Sequence, residues 1–90
     1  MTNASYLSEE LLKAVPNDVA TLVIDLSEAR YLDSAAIELL FDLSRRLDHR
    51  RQSLRLVLPS SSPLQRVLLL TEVGSVAPVH ETLDSALKKS

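Results

Sequence analysis

The stretch that decides the fold is residues 20–50, which read ATLVIDLSEARYLDSAAIELLFDLSRRLDHR. Its first part, residues 20–26, is a nearly continuous apolar run with β-branched residues at the centre, which is typical of a strand covered on both faces of a sheet. From residue 35 the apolar positions recur at a spacing of three and four, which predicts an amphipathic helix over residues 35–50. A buried strand followed by a long helix is characteristic of a parallel α/β unit.

The rest of the chain repeats this alternation. Further elements are predicted as helices over residues 5–14, from Ser62-Pro63 to near Gly74 and over 83–88, with strands over 54–58 and, at an edge, 76–79. Ser62 and Thr82 have the residue type of N-caps, and Gly74 is placed to be a left-handed C-terminal cap. Because strands alternate with helices, we expect one α/β domain over residues 1–90 with a small, mostly parallel or mixed sheet.

Composition narrows the functional classes. The 90-residue chain has no cysteine, which excludes disulfides and thiolate metal sites, and its formal net charge is −2. The N-terminus lacks the order of a signal peptide, and no apolar run is long enough to cross a bilayer. We therefore expect a cytoplasmic protein that does not insert into membranes.

One local cluster of positive charge stands near the end of the long helix: Arg45, Arg46, His49, Arg50 and Arg51. Asp42 and Asp48 lie among these residues, and Asp42 and Arg46 have the i,i+4 spacing of an ion pair. No aromatic side chain alternates with the arginines to stack on bases. We interpret the cluster as a solvated helix end and predict no nucleic-acid binding.

Residues suited to catalysis are sparse. His49 lies on the polar face of a predicted helix and His80 in a predicted loop beside Glu81, and neither has a second ligand at metal spacing. One glycine cannot form a phosphate loop, and no serine has a nucleophile-elbow pattern around it. The sequence therefore predicts no enzyme, no metal and no cofactor.

The pair Asp33-Ser34 is the exception, because it ends a strand–loop unit and begins the main helix. In open α/β sheets, contacts with ligands and partners gather beyond the C-terminal ends of the strands. One interpretation is structural: either residue is an N-cap. The other is functional: a phosphate on Ser34 is tolerated by the helix dipole but repels a partner that fits the neutral hydroxyl.

Two segments resemble the STAS family (sulphate transporter and anti-sigma factor antagonist). LVIDLS at residues 22–27 and YLDS at residues 31–34 are similar to its buried strand, turn and Asp-Ser pair. The similarity extends over about residues 11–87, through LRLV at 54–57, RVL at 66–68 and the segments that follow. The resemblance implies an α/β binding module that has no activity of its own.

In anti-sigma factor antagonists, the serine directly after the aspartate is phosphorylated by an anti-sigma kinase. That serine matches Ser34. The resemblance implies that the unphosphorylated form binds an anti-sigma factor, or a serine kinase of that type, and so regulates bacterial transcription. The expected partner-binding residues are Asp33, Ser34, Ala35, Ile37, Glu38 and Ser61.

The chain departs from the family pattern after the Asp-Ser pair. A Gly-Leu-Gly-like stretch is replaced by Ala35-Ala36-Ile37-Glu38, and Glu38 adds a carboxylate one turn into the helix. A phosphoryl group on Ser34 is disfavoured beside that charge. This departure favours an alternative, a STAS scaffold that is not phosphorylated or an accessory subunit of a signalling complex or membrane transporter.

The second departure from the family pattern is at the N-terminus. Family members begin with two strands, whereas this sequence begins almost at the first helix. We therefore expect a sheet of about three strands with an uncovered edge, and a homodimer or an obligate partner. The alternative is that residues 1–7 supply a substitute strand.

Overall fold

The computed structural model describes residues 4–88. Its elements follow the predicted order: α1 (Ala4–Lys13), β1 (Thr21–Asp25), α2 (Ser34–His49), β2 (Ser53–Val57), α3 (Leu64–Thr71), a 3-10 turn (Val73–Ser75), β3 (Val79–His80) and α4 (Leu83–Leu87). The predicted helices and the two main strands agree with these bounds to within a few residues, which is the usual uncertainty at element ends. The predicted α/β class is confirmed.

The three strands form one sheet in the order β1-β2-β3, and both pairings are parallel. Leu22 pairs with Leu54 and Ile24 with Leu56, so the side chains of these four residues share one face of the sheet. Parallel pairing places the C-terminal ends of all three strands at the same edge. The expected sheet of about three strands is therefore present, and its described pairings are entirely parallel.

The core lies between the sheet and helices α2 and α3. It contains Leu40, Leu43, Leu47, Leu54, Leu56, Leu58, Leu64, Leu68 and Val73, each almost fully buried. Helix α4 contacts all three strands. Arg55, which points to the face opposite to Leu54 and Leu56, donates to the carbonyls of Ala86 and Lys88 at the end of α4. The sheet thus separates a leucine-rich layer from a more polar one.

Helix α1 and the loop after it are fastened to α2. Ser8 is fully buried and hydrogen-bonds Asp42. Arg50 donates to the carbonyls of Leu12 (3.2 Å), near the end of α1, and Val15 (2.9 Å), in the loop after it. Gln52 donates from its amide nitrogen to the carbonyl oxygens of Pro16 (2.9 Å) and Val19 (2.6 Å). Arg50, one of the clustered cations, therefore holds the end of α1 and the following loop against the end of α2.

The predicted pair Asp42–Arg46 is confirmed, with 2.8 Å between Oδ2 and Nε. Arg45 contacts the other carboxylate oxygen of Asp42, and Arg46 also reaches Glu9 at 3.4 Å. The Arg46 hydrogen bond, followed by weaker contributions that include Ser8, lowers the pKa of Asp42, while desolvation opposes them. The basic cluster is in large part a set of intramolecular contacts around α2.

Three sequence predictions need correction. Gly74 is not the left-handed cap of α3, because Glu72 takes that conformation (φ 61°) and Gly74 lies in the 3-10 turn without a positive φ. The edge strand is Val79–His80 rather than residues 76–79, because Ala77 still donates to Val73 in the preceding turn. His80 therefore lies in a strand, not in a loop, and its Nδ1 is 2.9 Å from the hydroxyl of Ser85.

The predicted caps of the two short helices are both used. The side chain of Thr82 accepts from the N–H of Ser85 at the start of α4. The hydroxyl of Ser62 accepts from the N–H of Leu64 at 3.1 Å, although Pro63 occupies the capping position itself. The alternative of an N-terminal strand is wrong for residues 4–7, which are helical, and residues 1–3 lie outside the described residues.

Candidate partner-binding site

Three loops meet at the C-terminal edge of the sheet because all strands are parallel. They are residues 26–33 after β1, residues 58–63 after β2 and residues 81–82 after β3. Asp33 and Ser34 end the first loop, and Ser61 lies in the second. The topology therefore places Ser61 at the same edge of the sheet as the Asp33-Ser34 pair.

Asp33 is the N-cap of α2. Its backbone is extended (φ −89°, ψ 177°) and its Oδ1 accepts from the N–H of Ala36 at 2.8 Å. Its carbonyl accepts the first helical hydrogen bond, from Ile37 at 3.0 Å. The structural interpretation of Asp33 is thus correct, and the carboxylate is held beside Ser34 at the positive end of the helix dipole.

Ser34 is the first residue of α2, and it is exposed. Within residues 4–88 its hydroxyl makes no hydrogen bond, since Asp33 supplies the cap. The N–H groups of Ser34 and Ala35 precede the first intrahelical bond, so they point out of the helix end as donors. An accessible hydroxyl beside two such donors is suited to a group that brings negative charge.

The other predicted site residues have different environments. Ala35 is half-buried and Ile37 packs against the core, so Ile37 contributes to the shape of the site more than to a free surface. Glu38 is exposed and lies one turn after Ser34 on the same side of α2. Ser61 is exposed in the turn before α3. Asp33, Ser34, Glu38 and Ser61 are therefore accessible.

Tyr31 is an accessible residue that the sequence interpretation missed. It stands two positions before Asp33, and 77% of it is exposed. The similarity of YLDS at residues 31–34 to the family pattern did not indicate which of its two apolar residues is buried, and Leu32 is the one packed against the core. Aromatic side chains such as this one are enriched in protein interfaces.

Asp25 completes the edge at the end of β1. Its Oδ1 accepts from the N–H of Ser27 at 2.9 Å, and hydrogen bonds from the hydroxyl and backbone of Ser27 lower the pKa of this exposed carboxyl. The bond fixes the turn through which the chain leaves β1. Asp25 therefore shapes the loop that leads to Asp33.

A shallow cavity of about 760 Å³ lies along α2, between this helix and the segment before β3. Glu38, Phe41, Arg45, Gln52 and Pro78 are among its lining residues. Among the described residues there is no group of three or more histidine, aspartate or glutamate side chains that could hold a metal ion. No helix in residues 4–88 is both long and apolar enough to span a membrane.

The described chain is thus a small α/β domain in which an exposed serine follows the residue that caps α2. The family model of the STAS domain matches residues 1–86, and the chain therefore belongs to the STAS family. STAS domains are in general modules that bind other proteins and have no enzymatic activity. No curated protein matches the chain.

Proposed function

We propose that this chain is an anti-sigma factor antagonist-like regulator whose binding is switched by phosphorylation of Ser34. The observation that carries the proposal is the state of Ser34: exposed, free of hydrogen bonds within the described residues, and held at a capped helix start. Its partner is an anti-sigma factor, or a serine kinase of that type, in the bacterial cytoplasm. The chain acts there as the substrate and not as an enzyme.

The switch needs no rearrangement of the domain. Phosphoryl transfer from ATP to the Ser34 hydroxyl adds about two negative charges at the end of α2 where the dipole favours them. Because Asp33 and not Ser34 caps the helix, modification leaves the Asp33–Ala36 bond in place. A partner surface fitted to the unmodified pair meets repulsion and loses desolvated contacts.

The experiment is to incubate the 90-residue chain with its cognate anti-sigma kinase and ATP and to weigh the product. One added phosphoryl group is expected, and it is lost in Ser34→Ala but kept in the matched variant Ser61→Ala. Ser34→Asp is expected to weaken the complex at least about tenfold, the scale of one unfavourable buried charge. Undiminished binding by Ser34→Asp contradicts the switch.

A second candidate is a STAS scaffold that is not phosphorylated, either in a signalling complex or as an accessory subunit of a membrane transporter. The exposed carboxylate of Glu38, one turn from Ser34, favours it because it repels a phosphoryl group. A stable complex that forms with no added phosphate supports this candidate. Glu38→Gln separates the two: faster phosphorylation of this variant supports the switch, whereas no phosphorylation in either form supports the scaffold.

A further inference from the structure

The outer edge of β1 has no partner within residues 4–88, since the described sheet ends at this strand. The hydrogen bonds between β1 and β2 show which residues of β1 point their backbone groups toward the outer edge. Ser53 donates to the carbonyl of Ala20 (3.0 Å), and Leu26 donates to the carbonyl of Val57 (2.8 Å). Because bonding direction alternates along a parallel strand, Thr21, Val23 and Asp25 turn their N–H and C=O groups away from β2.

The two edges of the sheet differ in how well they are protected. Strand β3 has two residues and follows Pro78, so its outer edge offers few backbone groups. Strand β1 has five residues with no proline and no lysine, and its apolar residues are Leu, Val and Ile. Natural proteins place charge, proline or short strands at edges that stay unpaired. The edge of β1 has only Asp25, at its end.

Burial also shows that β1 is incompletely covered. Leu54, Leu56 and Val57 of the central strand are at most 2% exposed. Their register partners in β1, Leu22, Ile24 and Asp25, are half-buried or exposed. A further strand alongside β1 would cover the flanks of the two apolar side chains and pair the outward backbone groups.

We propose that this edge pairs with β1 of a second copy of the chain, antiparallel and centred on Val23. When two copies are related by a twofold axis and joined through the same edge, their β1 strands run antiparallel. If the axis is normal to the sheet, corresponding helices of the two copies lie on the same face of the joined sheet. In this register all three outward residues of each chain pair, giving up to about six interchain hydrogen bonds. The result is a continuous six-stranded sheet, counted as twice the three strands of one copy.

Side-chain chemistry fits this register. Val23 meets its own copy at the axis, and Leu22 stands opposite Ile24 of the second copy. Thr21 stands opposite Asp25 of the second copy, so the only charged side chains of the strand face hydroxyl groups and not each other. The strand is therefore complementary to itself. Pairing through β1 does not involve Ser34, so it goes beyond the proposed function.

The first test is sedimentation of the full 90-residue chain from micromolar to millimolar concentration, in which a dimer is expected. Val23→Pro removes the outward N–H at the twofold axis. It leaves the hydrogen bonds to β2 intact, because within β1 those bonds are made by the backbone groups of the even-numbered residues. It is expected to be monomeric with an unchanged circular dichroism spectrum. A wild-type chain that remains monomeric, or a folded Val23→Pro that still dimerises, overturns the proposal.

A charge pair tests the register without proline. Thr21→Lys and Thr21→Glu lose the same contact, the one between the hydroxyls of Thr21 and Ser53 (3.2 Å), and differ in the charge they place opposite Asp25 of the second copy. We expect Thr21→Lys to dimerise about tenfold more tightly than Thr21→Glu, since two cross-strand pairs change per dimer. Equal dimer affinities, or a monomer whose edge takes up another protein's strand instead, overturn it.

Discussion

Asp33 shows how one side chain can prepare a site without being modified itself. It caps α2 through the N–H of Ala36 and leaves the hydroxyl of Ser34 uncommitted. We expect Asp33→Ala to lower the free energy of unfolding by about 1 kcal/mol, the usual value of a lost N-cap, and Asp33→Asn to lower it much less because asparagine caps equally well. Urea unfolding of the three proteins measures the difference. Equal losses in both variants contradict the capping role.

Asp42 makes stability depend on pH. Its pKa in the folded chain is lowered from the ordinary 3.8, chiefly by the hydrogen bond from Arg46. Since the folded value is below the unfolded one, the contribution is complete above pH 3.8 and is lost as the pH falls through the lower folded pKa. Asp42→Asn is expected to narrow the difference in melting temperature between pH 7 and acid. A variant that loses the same stability at every pH contradicts this assignment.

At the residue scale, the contacts that could be predicted from the sequence are those between residues close together in the chain. Asp33 at the helix start, Thr82 at the start of α4 and the Asp42–Arg46 pair each involve residues three or four positions apart. The exposure of Tyr31 was not predictable, because it depends on which of two neighbouring apolar residues the core accepts. Leu32 takes that place, and the tyrosine ring is left outside.

At the scale of an element, helix α3 ends at a residue that is poorly suited to its backbone. Glu72 has φ 61°, a left-handed conformation that glycine adopts without a steric cost. We expect Glu72→Gly to raise the free energy of unfolding by about 0.5–1 kcal/mol, and Glu72→Ala, which also loses the carboxylate, not to raise it. Thermal unfolding of both variants decides. If Glu72→Ala also raised the free energy of unfolding, the stabilisation would come from loss of the carboxylate charge and not from the backbone conformation.

The wrong prediction for Gly74 has the same origin. A glycine near the end of a helix is the commonest sign of a left-handed cap. Here the fully buried Val73 must reach the core directly after α3, so the chain turns at Glu72 and continues as a 3-10 turn. A hypothetical Cβ at Gly74 is 4.0 Å from the nearest side-chain atom, on Val79, an ordinary contact distance. Packing has overridden local preference in this segment.

At the scale of the whole molecule, periodicity was sufficient to predict the α/β class, the sequence of helices and the two longer strands. It could not predict the extent of β3, whose two residues are defined by the bonds from Leu56 to the carbonyl of Pro78 and from Leu58 to that of His80. It also could not predict the attachment of α1 through Arg50 and Gln52, because those contacts join residues more than thirty positions apart. Long-range contacts carry no local signal.

The strand order β1-β2-β3 also bears on how the chain is made. Each new strand is added beside the previous one, so the sheet extends in the order in which the residues leave the ribosome. Residues 21–57 already hold both long strands and α2, and the described elements that follow are α3, the 3-10 turn, β3 and α4. Domains commonly begin to fold from the N-terminal side during synthesis. This topology allows the described sheet to form from the N-terminal side onward. None of its three strands lies between two strands that are both synthesised earlier.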